Sequence, residues 1–99
     1  MQALGYAMTE ELIIEDGRVA NPSLGDYKLP TAADLPSLET VLCQEPAGPV
    51  PFGGKSIGEI PNVPLPAAIA NAIDDAVGVR IASLPIKAEK VYRALAERS

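Results

Sequence analysis

Apolar side chains return at Leu4, Ala7, Met8 and Leu12, a spacing of i, i+3, i+4 and i+8 that predicts an amphipathic helix over Met1–Leu12. No Ser, Thr, Asp or Asn precedes the pattern to cap it, so the helix reads as cut from a longer one. Asp16-Gly17 then separates two short extended runs, Leu12–Glu15 and Arg18–Ala20, which predicts a hairpin. Residues 21–37 carry three prolines and read as an ordered but irregular surface segment. Alternation from Leu38 to Glu45 predicts a strand. The stretch 46–66 is a glycine- and proline-rich loop.

After Pro66, Ile69, Ile73 and Val77 form one stripe beside Ala68, Ala72 and Ala76, and Gly78 supplies a stop. Arg80–Leu84 is a short strand candidate. Lys87–Arg98 closes the chain as a helix, with Ala88, Val91 and Leu95 on its inner face. The expected architecture is mixed α/β over residues 1–99, one domain or fragment with short strands, a hairpin and about three helices.

Composition qualifies that picture. A chain of 99 residues buries only ~64% of its unfolded surface. The 47% hydrophobic content contains no Trp, one Phe and three Tyr, so small aliphatics must carry whatever core there is. Ten Pro and eight Gly imply long loops, which compact domains keep when they are functional or held from outside. The formal charge of −5 argues against nucleic acid as a partner. No apolar run approaches the roughly 20 residues a membrane span needs, and a cytoplasmic chain is expected. With one Cys and no His, disulfide frameworks and the usual zinc sites are excluded, so any metal must arrive with a cofactor or another chain. Cys43, in the apolar run 41–43, is expected to be a buried structural thiol.

Candidate chemistry concentrates in Gly53-Gly54-Lys55-Ser56-Ile57-Gly58-Glu59, which offers open backbone amides, an ammonium and a carboxylate within seven residues. Amides unshielded by side chains suit a phosphate or pterin, although the P-loop spacing is absent and a plain structural loop is the simpler reading of spacing alone. Glu59 is either a solvated loop carboxylate or a general base. Asp74-Asp75 and Glu10-Glu11 read as solvated faces, because adjacent helical residues diverge. Tyr6, Tyr27 and Tyr92 read as packing tyrosines with a hydroxyl to spare.

Four segments occur in one order: Gly5-Tyr6-Ala7-Met8-Thr9-Glu10-Glu11, Asn21-Pro22-Ser23-Leu24-Gly25-Asp26-Tyr27-Lys28-Leu29-Pro30-Thr31, Lys55-Ser56-Ile57-Gly58-Glu59 and Ala67-Ala68-Ile69-Ala70-Asn71-Ala72-Ile73. In that register nearly the whole chain resembles the C-terminal part of the molybdenum-cofactor-binding subunit of the xanthine dehydrogenase and aldehyde oxidase family. The resemblance implies that Glu59 is the active-site base, taking a proton from a hydroxyl on molybdenum so that the oxygen attacks an electron-poor carbon of an aldehyde or N-heterocycle. Hydride then passes to the metal's sulfido ligand, and electrons leave through 2Fe-2S clusters, often to FAD, on other domains or subunits. It also implies that Lys55, Ser56, Ile57 and Gly58 lie against the molybdenum–molybdopterin cofactor, with Gln2 near the same site.

Two departures are visible. Ile60 stands where the family has the first proline of Gly-Glu-Pro-Pro, and Lys87-Ala88 replaces a Thr-Pro that would cap the last helix, at a cost of about 1 kcal/mol. The resemblance further implies partners, namely the remainder of the molybdenum-binding subunit and iron–sulfur and flavin subunits, without which the chain is inactive. A second reading from another class is a non-enzymatic α/β interaction module or truncated relic that forms a homodimer through bare apolar surface.

Overall fold

The computed structural model describes residues 1–43 and 50–98. Helix α1 spans Gln2–Met8, the hairpin strands β1 and β2 are Ile14–Glu15 and Arg18–Val19, and a short helix α2 spans Leu24–Tyr27. Helices α3, Pro64–Val77, and α4, Ala88–Ala96, follow, with 3₁₀ turns at Ala32–Asp34, Pro51–Gly53 and Ile60–Asn62. The mixed α/β class holds, with four helices and one two-stranded antiparallel hairpin among the described residues.

The hairpin forms as its turn residues dictate. Ile14 pairs with Val19 and Glu15 with Arg18, while Asp16 and Gly17 take φ of 48° and 75°. Two consecutive positive φ values match the twist of the flanking strands. Asn21, only 6% exposed, fastens its base: the side-chain oxygen accepts from the Ile13 amide at 2.9 Å and the side-chain nitrogen donates to the Glu11 carbonyl at 2.6 Å.

Four expectations are corrected. Helix α1 stops at Met8 rather than Leu12, because the amides of Thr9 and Glu10 both return to the Gly5 carbonyl, the second by a wider i→i−5 bond that ends the helical ladder. Residues 38–43 of the expected strand are not a strand, and 44–45 lie outside the described residues; Leu38, Val41 and Leu42 are exposed. Arg80–Leu84 is likewise irregular. A strand exists only where a neighbour completes its ladder, and among the described residues neither segment has one. Cys43 is exposed, not a buried thiol.

The 21–37 segment is ordered, as expected, and more regular than its prolines suggest, with α2 and one 3₁₀ turn inside it. Ser23 caps α2 by accepting from the Asp26 amide at 3.1 Å, and Thr31 and Asp34 form a reciprocal capping box around their 3₁₀ turn. Helix α3 begins at Pro64, three residues before the expected start, since its prolines fall in the first turn, whose N–H groups have no intrahelical acceptor. Gly78 ends it with φ of 69°.

Helix α3 and the 60–62 turn both pack on α1. The last third returns to α1 as well, through the Ile86 amide on the Ala7 carbonyl at 2.6 Å and a Lys87–Glu11 ion pair. Among the described residues the buried apolar side chains are Ala3, Ala7, Val79 and Ile86, with none of the long aliphatics or aromatics fully enclosed. The radius of gyration, 17.5 Å, exceeds the roughly 13 Å of a compact chain this long. The fold is held by a thin seam along α1, and most of its larger apolar side chains face outward.

Candidate functional site

The site is assembled where the two ends of the α1–α3 unit meet. Gln2 opens α1, while Glu59 stands immediately before the 3₁₀ turn that leads into α3. Packing of that turn on α1 brings residues 57 positions apart together: Gln2 Nε2 donates to Glu59 Oε1 at 2.7 Å. The same nitrogen donates to the Tyr6 hydroxyl at 3.1 Å. An ionised carboxylate can only accept, so the amide nitrogen of Gln2 is the end that must face it. Among the described residues Glu59 Oε2 has no donor and is free to face a ligand.

Lys55, Ser56, Ile57 and Gly58 run into Glu59 as an exposed irregular strip that bends at Gly58 and Glu59. Among the described residues their backbone amides, the Lys55 ammonium and the Ser56 hydroxyl have no hydrogen-bond or ion-pair partner. A Cβ placed on Gly58 would meet nothing within 4 Å. This donor-rich, unshielded strip fits one edge of an anionic pterin-type group, for which open amides and an ammonium are suitable donors. Its other face is open, so these residues can flank such a group but do not enclose one. Among the described residues no three His, Cys, Asp or Glu side chains cluster as metal ligands.

Beside this strip stands Phe52, fully exposed with φ of 58°, a conformation that costs energy for a residue with a Cβ. On the far side of Tyr6 the polar line continues. Glu10 is 8% exposed, and its carboxylate accepts from the Tyr27 hydroxyl, holding the phenol's pKa above its ordinary value. Thus Gln2 and Glu59 are brought together, and the strip 55–58 adjoins them in sequence. Sequence reasoning missed Tyr6 as a neighbour of the pair; the signal was its i, i+4 relation to Gln2.

The Molybdopterin cofactor-binding domain family matches residues 1–36, which include Gln2 and Tyr6 but stop short of the strip. The xanthine dehydrogenase molybdenum-binding subunit of Escherichia coli O157:H7 is 44% identical over 91 residues, covering 90% of this chain and 12% of the relative. The gamma subunit of the 6-hydroxypseudooxynicotine dehydrogenase complex of Paenarthrobacter nicotinovorans is 38% identical over 96 residues, covering 93% of this chain and 12% of that one. Among solved structures, quinoline 2-oxidoreductase from Pseudomonas putida 86 superimposes with a TM-score of 0.86 at 35% identity, over 99% of this chain and 13% of that chain. The chain spans about 12% of the length of the curated relatives it matches. It belongs to the xanthine dehydrogenase and aldehyde oxidase family, and corresponds to part of the subunit that binds the molybdenum–molybdopterin cofactor.

Proposed function

We propose that this chain contributes the carboxylate base of a molybdenum hydroxylase, with Glu59 as that base, and that it works only when assembled with the remainder of the cofactor-binding subunit. The observation that carries the reading is the Gln2–Glu59 hydrogen bond at 2.7 Å, which builds one polar centre from two distant segments of the chain. When bound, the molybdenum–molybdopterin group supplies the two-electron chemistry by which a water-derived oxygen reaches an electron-poor carbon. Lys55, Ser56 and the amides up to Gly58 hold one edge of that group in place. Gln2 holds Oε1 of Glu59, and Oε2 is the atom that takes the proton. A base positioned in this way contributes about 10²- to 10⁴-fold to rate.

The need for assembly rests on the thin core and the outward-facing apolar side chains. The occupant of that surface is the rest of the subunit, since the solved relative holds this same fold within a chain of which it makes up 13%. Substrates of the assembled enzyme are aldehydes or N-heterocycles, the classes named for the aldehyde oxidoreductase of Megalodesulfovibrio gigas and for the quinoline enzyme. Iron–sulfur and flavin partners complete electron removal. Purification of the tagged chain from its own cells, with co-purifying polypeptides and molybdenum measured together, tests the assembly. A large partner and about one molybdenum per complex are expected, and in that complex Glu59→Gln should lower kcat by about 10²-fold or more without loss of metal. A metal-free chain alone or as a homodimer would overturn the reading.

A further inference from the structure

We propose that Tyr6 is a positioning residue for the Glu59 carboxylate, acting through the side-chain amide of Gln2. This inference rests on the reading of Glu59 as the base. Gln2 and Tyr6 stand one turn apart on α1, so their side chains share a face. Gln2 Nε2 carries two protons, and both are engaged, one by Glu59 Oε1 at 2.7 Å and one by Tyr6 Oη at 3.1 Å. Turning the amide over would set its carbonyl oxygen against a carboxylate oxygen, which repels it.

Tyr6 therefore gives the amide its second fixed point. All three side chains are exposed, and a long exposed side chain held at one end keeps most of its rotamer freedom. Two anchors convert Gln2 from an occasional donor into a standing one. With Oε1 occupied, the carboxylate presents the same oxygen, Oε2, to the site. The Tyr6 ring, 42% exposed, lines an open cleft of about 380 Å³ with Met1, Glu10, Leu29 and Pro30.

The test is a set of four variants of the assembled enzyme: Tyr6→Phe, Gln2→Ala, the two combined, and Glu59→Gln. Tyr6→Phe is expected to lower kcat about three- to tenfold, the scale of one hydrogen bond, with KM changed less than twofold and molybdenum content unchanged. The double variant should be no slower than Gln2→Ala alone, because Tyr6 acts only through Gln2. The crystal structure of Tyr6→Phe should show Gln2 Nε2 displaced from Glu59. An unchanged kcat, losses that multiply in the double variant, or Gln2 still within hydrogen-bond distance of Glu59 in Tyr6→Phe would each overturn the proposal. Glu59→Gln separates the two ideas. Full turnover there defeats the base reading, whereas lost turnover beside an independent Tyr6 effect defeats only the positioning role.

Discussion

The amide of Glu10 donates to the carbonyl of Gly5 at 2.9 Å, and the Glu10 side chain folds back so that its carboxylate lies where a Cβ on Gly5 would stand. Pro30 Cδ closes the same space from the other side, 3.0 Å from that Cβ position. In an ordinary helix, replacing Gly by Ala gains roughly 0.5–1 kcal/mol. Here Glu10 is buried and engaged by Tyr27, so stepping aside would break that contact. Overpacking outweighs propensity, and Gly5→Ala should destabilise the protein by about 1–2 kcal/mol net. Thermal unfolding of the variant checks this, and a higher melting temperature would refute the packing argument.

The Glu10–Tyr27 pair also sets a pH dependence. Hydrogen bonding to the Glu10 carboxylate, followed by burial and the nearby negative charge, favours the neutral phenol and raises the Tyr27 pKa. A group whose pKa is raised on folding contributes stability that is fully present below its unfolded pKa and is lost as pH rises through the folded one. Stability should therefore fall on the alkaline side of the ordinary tyrosine range, and Tyr27→Phe should flatten that limb. Ultraviolet titration should show one late-ionising phenol that Glu10→Gln returns to its normal range.

How much of this was legible in the sequence depends on the range of the interaction. The hairpin follows from Asp16-Gly17 and the later helices from their apolar stripes, because a turn or a helix is completed by its own neighbours. The boxes Ser23-x-x-Asp26 and Thr31-x-x-Asp34 were equally local and readable, yet the prolines around them hid the signal. Residues 38–43 and 80–84 misled for the opposite reason, since alternation states which face would be covered and not whether a strand arrives to cover it. The glycine loop offered Glu59 either as a solvated carboxylate or as a base, and only the resemblance chose between these and brought in Gln2. Their contact across 57 positions depends on how the 60–62 turn packs on α1, which periodicity does not encode. Tyr6, one turn from Gln2 on the same helix, was by contrast a local neighbour that the spacing could have offered.

Gly58 provides the sharpest way to separate the chain's own stability from the demands of an external ligand. Its φ is not in the left-handed region and a Cβ there meets nothing within 4 Å, so the fold has no objection to alanine. A cofactor edge lying against the bare 55–58 backbone would object, because one methyl group of overlap cannot be relieved on a rigid ring system. Gly58→Ala should shift the melting temperature of the metal-free protein by no more than about 2–4 °C, the scale of a surface change of under 0.5 kcal/mol. In the assembled enzyme the same substitution should lower molybdenum retention severalfold, as measured by metal analysis after gel filtration. Normal retention would mean that the strip does not touch the cofactor, and Lys55 and Ser56 would then need another ligand to explain their unpaired donors.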